Sequence, residues 1–277
     1  MNDLFDGPLI LVGAGKMGGA MLTGWLAGGL DPAKVRVQDP APPPEIAAIL
    51  AKYGIAAQAS LSADDLGALP SVIIAAVKPQ IMDAVFPQAA ALAGPDTLTI
   101  SIAAGKTIAS FERHLGPSAA VIRTIPNTPA AIGRGITVCA PNAHVSAAQR
   151  RLCDMLLASI GEVGWVEDED LIDVATAVSG SGPAYVFLLA ECLAQAGVAA
   201  GLSDELAARL ANATVSGAGE LLHRSDEPPA TLRQNVTSPN GTTYAALQVL
   251  MADADGMGQL MTRAVAAAAK RSRELAG

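Results

Sequence analysis

The chain has 277 residues, 51% of them apolar and 16% charged, with a formal net charge of −8. This length suits one large or two ordinary domains with a sizeable core. The acidic balance argues against general nucleic-acid binding, which relies on Lys and Arg to neutralise phosphates.

Met1-Asn-Asp-Leu-Phe-Asp6 is acidic where a secretory leader would be basic, so export is not expected. No window of 18 or more apolar residues escapes interruption by a charge, Gly or Pro, so no membrane-spanning helix is read. Cys139, Cys153 and Cys192 are widely spaced and contain no Cys-x-x-Cys pair, which fits inert thiols in a reducing cytoplasm. His114, His144 and His223 show no metal-ligand spacing, so no metal is expected and a Ser-His-Asp hydrolase is poorly supported.

Pro8-Leu-Ile-Leu-Val12 reads as a buried strand that runs into Gly13-Ala14-Gly15-Lys16-Met17-Gly18. This is the G-x-G-x-x-G spacing: Gly13 for a tight turn, Gly15 for close approach of a pyrophosphate, Gly18 for packing of helix on strand. The stretch 19–27 places Met21, Leu22, Trp25 and Leu26 at helical spacing, so the glycines follow a strand and open a helix, which is the required context. Val35-Arg-Val37 is the second strand, ending at Gln38-Asp39-Pro40. An acid at this point pairs with the free 2′-hydroxyl of NAD, whereas NADP calls for a basic residue. Asp39 therefore leans towards NADH; its other reading is a cap on the turn before Pro42-Pro43-Pro44.

Residues 45–53 form a helix candidate with Gly54 as its C-cap. Strands are read at 71–77, 97–102, 121–122, 135–139 and 164–167, with a helix over 146–159. The alternation predicts an α/β fold, an open, mostly parallel, doubly wound sheet of Rossmann type. Ligands in such sheets bind beyond the carboxyl ends of the strands. Residues 13–18, Val77-Lys78-Pro79, Ala103-Ala104-Gly105 and Asn127-Thr-Pro129 should therefore meet along one edge and hold the cofactor.

From Glu169 onwards strand signals disappear, and helices are expected over 170–178, 183–200, 203–222, 242–250 and 257–275. Ser179-Gly-Ser-Gly-Pro183 reads as a joint, with Pro183 starting a new helix. These Ala/Gly-rich helices are poor at making a core from one copy, which implies packing against a second chain. The division is 1–167 for the dinucleotide-binding domain and 168–277 for the helical one. The loop Asn235-Val-Thr-Ser238-Pro-Asn240-Gly241-Thr242-Thr243-Tyr244 is the richest in polar groups. Two readings of it stand: a carboxylate site on backbone N–H groups at a helix start, or an ordinary side-chain cap.

Taken together, these pieces resemble pyrroline-5-carboxylate reductase. The matching stretches are Gly13-Ala-Gly-Lys-Met-Gly18, Val77-Lys-Pro-Gln80, Ser101-Ile-Ala-Ala-Gly105, Arg123-Thr-Ile-Pro-Asn-Thr-Pro129, Asp170-Leu-Ile-Asp173, Ser179-Gly-Ser-Gly-Pro-Ala-Tyr185 and Asn235-Val-Thr-Ser-Pro-Asn-Gly-Thr-Thr243. The last two are the specific ones; the glycine fingerprint is common to many dehydrogenases. The resemblance implies reduction of 1-pyrroline-5-carboxylate to L-proline with NADPH or NADH. It also implies a C-terminal all-helical dimerisation domain forming a homodimer, often built into a larger ring. It places the substrate carboxylate on residues 238–243 and Thr243 near the ring nitrogen. Family members often carry Ser, Thr, Asn or Arg after the second strand, suited to the 2′-phosphate, where this chain has Asp39. Two competitors remain. A 3-hydroxyacid dehydrogenase would need a Lys on the helix 183–200, which has none. A non-catalytic nicotinamide-binding sensor would use the 238–243 loop only as a cap.

Overall fold

Short apolar runs bounded by turn residues recur along the first half of the chain, and most fold as buried strands. The computed structural model describes residues 5–276; residues 1–4, which include part of the acidic start, and Gly277 lie outside them. In chain order come β1 (Leu9–Val12), α1 (Lys16–Ala27), β2 (Val35–Gln38), α2 (Pro44–Tyr53), β3 (Ala57–Gln58), β4 (Val72–Ala75) and α3 (Pro79–Ala90). They are followed by β5 (Leu98–Ser101), α4 (Ile108–Leu115), β6 (Ala120–Ile125), β7 (Gly135–Pro141), α5 (Ala147–Leu157) and β8 (Gly161–Trp165).

Among the described residues the strands form one eight-stranded sheet of order β3-β2-β1-β4-β5-β6-β7-β8, with β6–β7 the one antiparallel pair. This is the expected doubly wound, mostly parallel sheet. Side chains alternate across it. Leu9, Leu11, Val37, Ile74, Ile100 and Ile122 point to a core shared with α1, α2 and α5. Ile10, Val12, Ile73, Ala75 and Val121 point to the other face, covered by Met82 and Phe86 of α3 and Phe111 of α4. Trp25 is fully buried and its Nε1–H donates to Leu156 O at 2.7 Å, which ties α1 to α5. Truncating such a side chain to Ala costs about 3–5 kcal/mol.

Three helices, α3, α4 and one over Pro229–Asn235, are not evident in the sequence. The start of α3 lies at Lys78-Pro79, which reads as a strand-end turn, yet Pro is pre-organised for a first helical turn. Pro87 is inside the same helix, close to its end, and its missing N–H obscures the pattern. The eighth strand also begins earlier than expected, at Gly161. A Cβ at Gly161 would lie 1.9 Å from Gly135 O, so two facing glycines let the β7 and β8 backbones approach closely.

The chain packs as two units, Met1–Gly180 with Ala269–Gly277, and Ser181–Ala268. The first therefore keeps α6 (Leu171–Ala175) and the π-helical turn Thr176–Gly180 that follows it. Ile172 and Ala177 are buried there, Ile172 in a small cluster with Ile125 and Ala140. The packing boundary thus lies beyond the 167/168 division, because a polar surface segment at 166–170 precedes a helix that still belongs to the sheet.

The second unit holds α7 (Gly182–Ala199), α8 (Asp204–Arg224), α9 (Pro229–Asn235), α10 (Thr242–Leu250) and most of α11 (Met257–Ala276). Ser203 caps α8 by accepting from Leu206 N–H, with Asp204 and Glu205 in the first turn. Small residues set the spacing of α7 and α8: a Cβ at Gly197 would sit 3.3 Å from Ala207 Cβ. The expected break at 179–182 is nearly healed. Only Ser181 separates the π-turn from α7, and its backbone stays helical at φ −84°, ψ −23°. Leu171–Ala199 is consequently one run, long and apolar enough to cross a membrane by length and composition. Reading each apolar stretch as ended by Gly or Pro misses this. No residue of α7 is buried, and Phe187 is 69% exposed.

Candidate functional site

β1, β4, β5 and β6 are neighbouring parallel strands, so the loops after them share one edge of the sheet. Gly13 adopts φ +95°, and a Cβ there would lie 2.8 Å from Val77 Cγ1. A Cβ on Gly18 would fall 2.2 Å from Gly13 O, whereas one on Gly15 would meet open space. Two glycines are thus fixed by crowding and the third faces outward. Gly15 is the N-cap of α1, no side chain caps the helix, and its first turn carries no acid. Free N–H groups and the positive dipole end point at that open space, so these residues fit a pyrophosphate. Lys16 and Lys78 are exposed beside it, and Ala14 and Met17 pack inward.

Asp39 stands at the end of β2. Its Oδ2 accepts from Ala14 N–H at 2.7 Å and its Oδ1 from Ala41 N–H at 2.9 Å. The carboxylate is therefore pinned between the glycine loop and the following turn, and the turn-cap and ribose readings are compatible. Arg36 points elsewhere, donating to Asp65 O and Ala33 O at 2.8 Å. Residues 40–51 contain no Lys or Arg.

Val77 touches Gly13, Lys78 is the N-cap of α3, and Pro79 opens that helix. Ala103 is buried, Ala104 exposed, and Gly105 has φ +75°. Lys106 Nζ donates to Asp83 Oδ2 at 2.7 Å, bracing this loop against α3 and holding the Asp83 carboxyl below its usual range. Asn127 also lies at the edge, and each polar atom of its amide has a backbone partner. Oδ1 accepts from Ile136 N–H at 2.9 Å, and Nδ2 donates to Ser179 O at 3.1 Å.

A buried charged cluster escaped the sequence reading. Arg123, in the middle of β6, bonds Glu169 Oε1 at 2.9 Å and lies 3.6 Å from Asp173 Oδ1. Glu169 Oε1 also accepts from Ile108 N–H at the start of α4, and Asp173 Oδ1 accepts from Ser272 Oγ at 2.6 Å. The available signal was an Arg inside an otherwise apolar strand, with two acids four residues apart further on.

In the second unit, Ser238, Asn240, Gly241, Thr242 and Thr243 occupy one turn and the first turn of α10. Asn240 has φ +57°, the one positive φ among described non-glycine residues. Gly241 N–H donates to Ser238 O at 3.1 Å. A Cβ on Gly241 would lie 2.3 Å from Ser238 Oγ, so any larger residue there would have to turn the Ser238 hydroxyl away. Gly241 is the N-cap and no side chain caps the helix, so the ordinary side-chain cap is not what forms. The first-turn N–H groups are left for an anion, and a carboxylate suits them. Thr242 is exposed and Thr243 half-buried. Among the described residues no group of three or more His, Cys, Asp or Glu could hold a metal ion.

Comparison with known proteins covers nearly the whole chain. A family model described as pyrroline-5-carboxylate reductase dimerisation matches residues 169–275. One described as NADP oxidoreductase, coenzyme F420-dependent, matches residues 9–105. A pyrroline-5-carboxylate reductase of Pseudomonas aeruginosa is 42% identical over 270 residues, 97% of this chain and 96% of that protein. A solved pyrroline-5-carboxylate reductase from Coxiella burnetii superposes with a TM-score of 0.88 at 32% identity, covering 98% of this chain and 99% of that chain. A pyrroline carboxylate reductase from Plasmodium falciparum, solved with NADP bound, gives a TM-score of 0.77 at 28% identity, covering 98% of this chain and 99% of that chain.

Proposed function

The chain belongs to the pyrroline-5-carboxylate reductase family, and from this premise we propose how its residues divide the chemistry. The enzyme is an oxidoreductase that reduces 1-pyrroline-5-carboxylate to L-proline with NAD(P)H, the last step of proline biosynthesis. Its helical region carries the family's dimerisation match and serves homo-oligomerisation.

In our reading residues 1–167 hold the cofactor and residues 168–277 bind the substrate and form a homodimer, with a larger ring built from dimers. The dimerisation match, which begins at residue 169, supports that division. Phe187, Leu188 and Leu193 of α7, all exposed in the single chain, are covered in the dimer rather than by lipid. The enzyme works in the cytoplasm and takes no nucleic acid or membrane partner.

The bound nicotinamide supplies the hydride. Gly13, Ala14, Gly15, Lys16, Met17 and Gly18 cradle the pyrophosphate, and Asp39 holds the ribose. Val77, Lys78, Pro79, Ala103, Ala104 and Gly105 line the rest of the edge. The substrate carboxylate docks on the N–H groups of the Ser238, Asn240, Gly241, Thr242 and Thr243 turn. The observation that carries this is the start of α10, where Gly241 is the N-cap and no side chain caps the helix. Thr243 then orients the ring nitrogen through its hydroxyl. The turn supplies hydroxyls and an amide but no strong acid. None is required, because a protonated cyclic imine is already electrophilic and positioning supplies most of the rate. NADH is used at least as well as NADPH: the Asp39 carboxylate is fixed in place, and no cation follows within residues 40–51.

The test is cofactor oxidation with 1-pyrroline-5-carboxylate, NADH and NADPH run separately, and proline identified as product. Thr243→Ala should lose turnover and keep cofactor binding. Nucleotide binding without turnover of the wild type would overturn the reading in favour of a sensor. The hydroxyacid dehydrogenase alternative is disfavoured by α7, which contains no Lys.

A further inference from the structure

The strand order sets where the reactive end of a bound dinucleotide would lie. Asp39 closes β2, the glycine loop follows β1, and residues 103–105 and Asn127 follow β5 and β6. A dinucleotide with its ribose at β2 and its pyrophosphate at β1 would extend its reactive end towards β5 and β6. At about 4.8 Å per strand, β6 lies roughly 14 Å from β1. Asn127 would therefore stand at the reactive end, where a direct ligand is one reading of a polar side chain.

Its amide is already engaged on both sides. Both functional atoms of the amide are held by backbone, Oδ1 by Ile136 N–H at 2.9 Å and Nδ2 by Ser179 O at 3.1 Å. Ser179 sits in the π-turn Thr176–Gly180. A π-turn shifts hydrogen bonding by one residue and leaves a carbonyl to be satisfied from outside the helix. Thr176 and Ser179 hydroxyls take up Ile172 O at 2.7 Å and Ala175 O at 2.9 Å, and Asn127 takes up Ser179 O. Gly180 packs nearby, since a Cβ there would lie 3.3 Å from Thr176 Cγ2 and 3.7 Å from Ile125 Cγ1. One side chain thus joins the end of β6, the start of β7 and the turn that leads into α7.

We infer that Asn127 is a positioning residue, whose amide clamps the π-turn Thr176–Gly180 at the reactive end of the cofactor edge and contributes to hydride transfer without contributing to cofactor affinity. The kinetic part rests on the reductase reading above; the clamp itself does not. Asn127→Asp keeps the acceptor for Ile136 N–H and replaces the donor to Ser179 O by an oxygen. Asn127→Ala removes both bonds and introduces no charge. For either variant kcat should fall about ten- to a hundredfold, the scale of a misplacement near 1 Å. KM for the reduced cofactor and its Kd by fluorescence titration should stay within about threefold, a split that mere loss of fold would not give. Amide hydrogen exchange should accelerate across residues 176–182 and remain unchanged in α1 and β1. A cofactor Kd raised tenfold with exchange unchanged would make Asn127 a direct ligand and overturn the proposal, as would unaltered kcat. If Asn127→Asp does not fold, Asn127→Ala carries the same criteria. If the wild type itself showed no turnover, the reductase reading would fall, while exchange and Kd would still decide the clamp.

Discussion

Replacing Asp39 by Asn isolates one charge at the cofactor edge. The carboxylate is fixed by Ala14 and Ala41 N–H at 2.7 and 2.9 Å, so it cannot swing away from a 2′-phosphate. The phosphate carries a charge of about −1.5. At about 5 Å the repulsion is roughly 1.2 kcal/mol in a water-like dielectric of about 80 and twice that at about 40, which brackets a half-buried site. The Asn variant keeps one acceptor oxygen. The hydrogen bond it loses weakens the loop by about 1 kcal/mol, but equally for both cofactors, so this cancels in their ratio. Asp39→Asn should therefore raise kcat/KM for NADPH relative to NADH by roughly eight- to seventyfold. The assay is initial-rate oxidation of each cofactor at saturating 1-pyrroline-5-carboxylate. A wild type that strongly prefers NADPH, with a ratio moved less than about twofold by the substitution, would refute the role given to Asp39.

Arg123→Met leaves Asp173 and Glu169 beside an apolar side chain, and should destabilise the first unit by about 3–5 kcal/mol, read from urea unfolding. Adding Asp173→Asn should recover part of that loss. Phe187→Glu puts a charge on the exposed apolar face of α7 and should dissociate the homo-oligomer, read by light scattering on a sizing column. Cys139 and Cys153 are buried, and a hydrogen bond with Cys139, reinforced by burial, pushes the Cys153 thiol well above its ordinary range. A thiol reagent should label neither until the protein is denatured.

Much of the first half was legible because it obeys short-range rules. The runs around Leu9–Val12 and Val72–Ala75 are wholly apolar and are bounded by Gly, Pro or Ser, so strand and turn were both plain. Gly54 as a C-cap and Ser203 as an N-cap follow from residue type alone. What stayed hidden depends on distant partners. The turn at Thr176–Gly180 remains helical because Asn127, 52 residues earlier, accommodates a carbonyl that local sequence would leave unpaired. Arg123 is tolerable within β6 only because acids from α6 and the segment before it return to it. At the cofactor edge the loops could be named, since parallel strands force their ends together. That the Asn127 amide is already occupied could not, because spacing says nothing about which groups a side chain faces.

The second unit is an insertion within the first: the chain leaves at Gly180 and its last residues rejoin from Ala269. This has a consequence for synthesis. Asp173 emerges from the ribosome 99 residues before Ser272, the hydroxyl that donates to it. At about 5–20 residues per second, that is a delay of roughly 5–20 seconds. During the delay Asp173 has Arg123, already made, but not its hydroxyl partner. Until then the nucleotide-binding layer lacks the residues that rejoin it from Ala269. It is completed only after the entire helical insertion has been translated, and a stop codon ahead of residue 269 would damage the unit that was made first.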